Sequence, residues 1–170
     1  RDFLKTRPDE KLISSFCAYI DTFWRLFIQV FPAVKEYLEA EPQTAASRYR
    51  DNNTGGNIIF RPVTLLQMIK GMVYILTEDN TVTIENILNK YCQIDRNVSG
   101  NLWDKIIWNS VSKTMLVNNQ ILLKYLFVYI YDSSVLKEKH LKDFYQRYEL
   151  VKNIDRDSVQ EHLNMLINNA

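Results

Sequence analysis

Apolar positions recur every three or four residues through most of this chain, and the interruptions between those runs predict its elements. Leu12, Phe16, Tyr19, Phe23, Phe27 and Val30 mark one face of a helix that Pro32 blocks, with Pro8, Asp9 and Glu10 suited to its first turn. Residues 33–40 predict a further short helix. Periodicity is lost over 41–57, a stretch that closes on Asn-Thr-Gly-Gly-Asn and reads as a long loop. Residues 58–60 read as a brief extended segment, because the chain ahead of a proline avoids helical geometry.

Pro62 then opens a helix through Leu76, with Leu65, Leu66, Ile69, Met72, Val73 and Leu76 apolar. Gly71 inside it costs about 1 kcal/mol relative to alanine, which implies a closely packed neighbour. Thr83 suits the N-cap of a helix over 84–91. Asn101 suits the same role for a helix over 102–108, and a break follows at 109–117. The stretch 119–131, capped by Asn118, is hydrophobic almost all round and predicts the central helix. Two more helices begin near Ser133 or Ser134 and near Asp155 or Asp157. The expectation is an all-α fold, a single compact domain of about six or seven helices over 1–170.

Composition fits this. Hydrophobic residues make up 46% and charged residues 24%, and four glycines with four prolines are too few for the turns of an all-β fold. A net charge of +1 gives no global attraction to nucleic acid or anionic membrane, so any DNA contact must rest on a local patch. No apolar run reaches the ~18 residues of a membrane span, so no membrane partner is expected. Cys17 and Cys92 read as buried thiols of a reducing cytosol, and the expected location is cytoplasmic. The absence of an initiator methionine before Arg1 reads as the mark of a piece of a longer protein.

Candidate chemistry is sparse. His140 lies on a stripe with Leu136, Phe144 and Tyr148, and His162 lies beside Leu163. Both read as hydrogen-bonded structural residues before they read as general bases. Gly55-Gly56 lacks the lysine and hydroxyl of a phosphate loop. No catalytic set, metal set or cofactor is expected. Arg48, Arg50, Arg61 and Lys113 are the candidate phosphate contacts, Arg61 standing at a helix N-terminus that itself favours anions.

A family resemblance enters here. An aromatic-rich helix over 16–31 is followed by a long loop and then by Asn57-Ile-Ile-Phe-Arg-Pro-Val opening a helix. After these come Asn101-Leu-Trp-Asp, the break over 108–115 and an apolar helix. That order resembles the C-terminal helical part of the DGQHR-domain proteins, which include the DndB-type proteins of DNA phosphorothioate modification. The similar order spans about 11–130. The Asp-Gly-Gln-His-Arg motif is absent, so the resemblance transfers no catalytic residue. It implies a non-catalytic bacterial domain that contributes to DNA binding or regulation in a DNA-modification and defence system. The alternative is a protein-interaction or oligomerisation scaffold, with self-association or a partner protein in place of DNA.

Overall fold

The computed structural model describes residues 8–168, and the fold is all-α, with eight α-helices and one two-stranded sheet among them. The chain separates after Glu39 into two compact units, each described by itself.

The first unit holds α1 (Glu10–Val30) and α2 (Pro32–Glu39). Asp9 caps α1 by accepting from the Leu12 amide at 2.7 Å, and Pro8 lies outside the helix. Phe31 ends it and Pro32 starts α2, as the proline's missing N–H requires. Phe27, Phe31 and Val34 are buried, and the Phe27 and Phe31 rings lie 4.9 Å apart. Phe16, Tyr19, Ile20 and Trp24 are exposed, Tyr19 by 53% and Ile20 by 52%. Cys17, expected in a core, is exposed as well.

The second unit is built round α4 (Pro62–Glu78), α6 (Gln120–Tyr131) and α7 (Glu138–Lys152), with α3 (Pro42–Tyr49), α5 (Ile84–Cys92) and α8 (Val159–Asn168) around them. Residues Leu122, Leu123 and Tyr125–Ile130 of α6 are all buried, as an all-round apolar helix demands. Gly71 lets α4 approach: a Cβ there would lie 3.0 Å from the Phe127 Cβ and 3.3 Å from the Lys124 carbonyl oxygen. α5 starts on a full capping box in which Thr83 and Asn86 satisfy each other's backbone amides.

Four expectations are corrected. The loop expected over 41–57 contains α3, whose Ala45 and Tyr49 are buried one turn apart, and only the stretch after Tyr49 is irregular. Its sequence, PQTAASRY, carries one large apolar residue, Tyr49, so no apolar stripe marks the helix. Residues Ile58–Phe60 form a 3₁₀ turn instead of an extended segment, because the Asn57 side chain accepts from the Ile59 amide and tightens the chain. The stretch expected to be helical over 102–108 is a run of tight turns. Leu102, Trp103, Ile106, Ile107 and Trp108 are all buried, and Lys105 reverses the chain at φ 62°, a left-handed conformation that a right-handed helix does not hold. In the expected break over 109–117, β1 (Trp108–Asn109) pairs antiparallel with β2 (Thr114–Met115).

The helix over the apolar stretch begins one residue later than expected, with Asn119 in the N-cap position. Its side chain donates to the Lys105 and Ile106 carbonyls, at 3.2 and 3.0 Å, and not to its own helix. Both α7 and α8 are preceded by 3₁₀ turns, at Ser133–Val135 and Arg156–Ser158.

Candidate functional site

The geometry of the second unit brings three of the four candidate cations together. The organising piece is the loop after α3. Asp51 opens it by accepting from the Asn53 amide at 2.8 Å, the Thr54 amide at 2.7 Å and the Thr54 hydroxyl at 3.0 Å. These bonds, led by the Thr54 amide, hold the Asp51 carboxyl below its usual range, and the charge of Lys113 acts in the same direction. Gly55 and Gly56 follow with φ of 76° and 71°, a left-handed pair that only glycine adopts without strain. The loop is then pinned by two strand-like bonds, Ile58 amide to Arg96 carbonyl at 2.9 Å and Val98 amide to Gly56 carbonyl at 2.8 Å.

Arg61 turns into this loop. Its Nε donates to the Gly55 carbonyl at 2.7 Å, and its terminal nitrogen reaches the Gly55 and Asp51 carbonyls. Burial pulls its pKa below the ordinary arginine value, Arg50 adds to that effect and Asp51 opposes it. Arg61, expected as a phosphate contact at a helix N-terminus, is therefore half-buried and engaged by the loop. Arg50 donates through Nε to the Phe60 carbonyl at 2.8 Å and is otherwise exposed. Arg48, in the last turn of α3, lies 5.4 Å from the Tyr49 ring centroid, in cation–π contact. Lys113 occupies the last position of the hairpin loop at φ 52° and is exposed.

The hairpin is stiffened locally. The Asn109 carbonyl side chain accepts from the Val111 and Ser112 amides, both at 3.0 Å, and the Asp104 carboxylate accepts from the Ser110 amide and hydroxyl. Val111 at the apex is 95% exposed.

Both histidines are hydrogen-bonded in the way the sequence reading preferred. His140 Nδ1 lies 2.9 Å from the Tyr74 hydroxyl and its ring stacks on Tyr125. His162 Nδ1 lies 3.0 Å from the hydroxyl of the fully buried Tyr148. Beside it, Lys152 was not singled out by the sequence. Its ammonium donates to the carbonyls of Asn101 and Asp104, both at 2.7 Å, and of Leu102 at 3.3 Å. Burial pushes its pKa down to about 8. A cavity of about 260 Å³ lies between these groups, lined by Asn101, Asp104, Lys105, Lys152 and His162 among others. No sequence signal marks a lysine whose partners are three carbonyls some fifty residues away.

Burial, and secondarily Lys152, holds the His162 pKa below its ordinary value of 6.5. The unfolded chain then takes up this proton first as pH falls, so stability is present above about 6.5 and declines below it. The melting temperature should accordingly fall between pH 7.5 and 5.5, and His162→Gln should flatten that dependence. An unchanged slope in the variant would remove His162 from the account.

A wider cleft of about 610 Å³ separates the start of α6 from α7, lined by Val117, Ile121, Leu150, Val151 and Arg147 with neighbouring amides. Its lining holds no carboxylate, histidine, cysteine or hydroxyl to carry chemistry. Among the described residues, no group of three or more histidine, cysteine or acidic side chains could hold a metal ion, and no helix is long and apolar enough to cross a membrane. Comparison with protein-family models, curated proteins and solved structures returns no match.

Proposed function

We propose that this chain is a non-catalytic helical module of a DGQHR/DndB-like bacterial protein, contributing DNA-backbone contacts to a DNA-modification and defence system. One observation carries the reading. Arg61 binds the loop over 51–56, Lys113 acts electrostatically on its Asp51, Arg50 acts electrostatically on Arg61 while bonding the Phe60 carbonyl, and Arg48 stands one turn upstream. The acidic group nearest them, Asp51, is held in place by the Asn53 and Thr54 amides and offsets one of these charges. Clustered cations with a rigid backbone behind them suit phosphates, which need position before they need base contact.

The test is a salt titration of duplex binding. Affinity should fall steeply with salt, and Lys113→Ala should reduce the slope of log affinity on log salt by about 1 for all duplex sequences alike. Arg61→Ala should weaken binding too, but with a loss of thermal stability that Lys113→Ala does not share. Binding that is absent, or indifferent to salt, would refute the proposal.

A second reading, a protein-interaction or oligomerisation scaffold, is favoured by the exposed apolar side chains Tyr19, Ile20 and Trp24 of α1. Sedimentation separates the two readings: a chain that stays monomeric at high concentration argues against self-association.

A further inference from the structure

We propose that the cleft between the start of α6 and the end of α7 docks a segment of a partner protein that carries large apolar side chains flanked by carboxylates. None of its residues belongs to the phosphate contacts above, so the two proposals stand independently.

The walls are apolar and open to solvent. Val117, Ile121, Leu150 and Val151 line a cleft of about 610 Å³, within the roughly 300–1,000 Å³ that bound groups fill. Leu150 is 71% exposed, Val117 54% and Ile121 48%. A lone exposed apolar side chain is ordinary on a protein surface. Here three stand round one concavity, bordered by the polar Asn118, Asn119 and Gln120, an arrangement that marks contact with another protein. The α6 wall is fixed in place. The buried Gln67 of α4 donates to the Gln120 side chain at 3.2 Å, and Asn119 holds the Lys105 and Ile106 carbonyls.

Charge selects the partner. Lys124 lies one turn past Gln120 on the same face of α6, its ammonium 4.1 Å from the Tyr125 ring centroid. Burial lowers its pKa most, Lys70 on α4 lowers it further and Asp143 on α7 opposes them, so these groups share one edge. Arg147, in the cleft wall, bonds both Asp143 oxygens at 2.9 and 3.0 Å. The carboxylates of the three helices are all taken up. α6 has none, Glu78 of α4 pairs with Lys137, and Glu138, Asp143 and Glu149 of α7 pair with Lys142, Arg147 and Arg156. Neither Lys70 nor Lys124 makes an ion pair among the described residues. Acidic side chains of a partner would complete this edge while its apolar side chains fill the cleft. A nucleic acid would satisfy the cations and gain nothing from walls of valine, isoleucine and leucine.

The experiment selects peptides from a phage-displayed random library on the whole chain and measures the selected peptide by fluorescence anisotropy. Enriched sequences should combine large apolar residues with aspartate or glutamate beside them. Replacing those acids by their amides should weaken binding and remove most of its salt dependence. Leu150→Gln and Lys70→Glu should each weaken binding about ten-fold, and Leu150→Gln should leave duplex affinity unchanged. Both side chains are exposed, and circular dichroism would verify that the variants fold. Failure to enrich any peptide, enrichment of peptides without acids, or equal affinity of wild type and both variants would each overturn the proposal. A wild-type chain that dimerises, and that Leu150→Gln returns to monomer, would assign the cleft to a second copy and overturn it too.

Discussion

Trp103→Ala should lower the stability of the second unit by about 3–5 kcal/mol, the largest effect of any single substitution named above. Trp103 is fully buried, its ring lies 5.8 Å from that of Phe127, and its indole nitrogen donates to the Asp95 carbonyl at 2.7 Å. Truncation removes the packing and leaves that carbonyl without its donor, two costs that add. Set against a typical total of about 5–15 kcal/mol, the loss takes much of the stability of the fold. Urea denaturation would read it as a midpoint shifted well down at unchanged slope. A shift of under about 1 kcal/mol would mean that the surroundings of Trp103 collapse into the vacated space.

Gly56→Ala should cost about 2–4 kcal/mol, although it adds one methyl group. The residue sits at φ 71°, where a side chain is strained by about 1–2 kcal/mol. A Cβ would also collide with the Tyr49 carbonyl oxygen, the same atom that accepts the Asn57 amide. Backbone on one side or the other must move, and with it the carbonyls that hold Arg61. The variant should therefore lose duplex affinity as well as stability, in contrast with Lys113→Ala, which should lose affinity alone. Calorimetry and anisotropy on the same sample separate the two outcomes. A Gly56→Ala chain as stable as the wild type would show that the loop has a second backbone path.

Most of the helical frame was legible in the sequence because long helices repeat their pattern enough times to be seen. The end of α1 before Pro32, the start of α4 at Pro62 and the start of α5 after Thr83 fell where prolines and caps put them, and Gly71 pointed correctly to a close neighbour. The errors share a cause. Over 102–108 the buried Leu102, Trp103, Ile106 and Ile107 fall at helical spacing, and the left-handed turn at Lys105 that prevents the helix leaves no mark in that pattern. At 42–49 the helix has one large apolar residue, Tyr49, and so no stripe to detect. On α1 the amphipathic pattern was real, yet a pattern states which face is apolar and not how far its residues are buried. The candidate cations were chosen one by one, and their convergence depends on tertiary bonds between residues such as Ile58 and Arg96 that no spacing in the sequence encodes.

The all-round apolar character of α6 also bears on how the chain is made. Tyr129 meets Phe144 of α7 with ring centroids 5.3 Å apart, so part of the cover for α6 is encoded downstream of it. During vectorial synthesis α6 emerges with α4 already available on one side and α7 still inside the ribosome. For the time needed to translate the residues up to Lys152, a sequence of leucine, tyrosine, phenylalanine and isoleucine stands half dressed. A message cut short in that interval would yield a product inclined to aggregate, and the same interval is when a chaperone would find its handle.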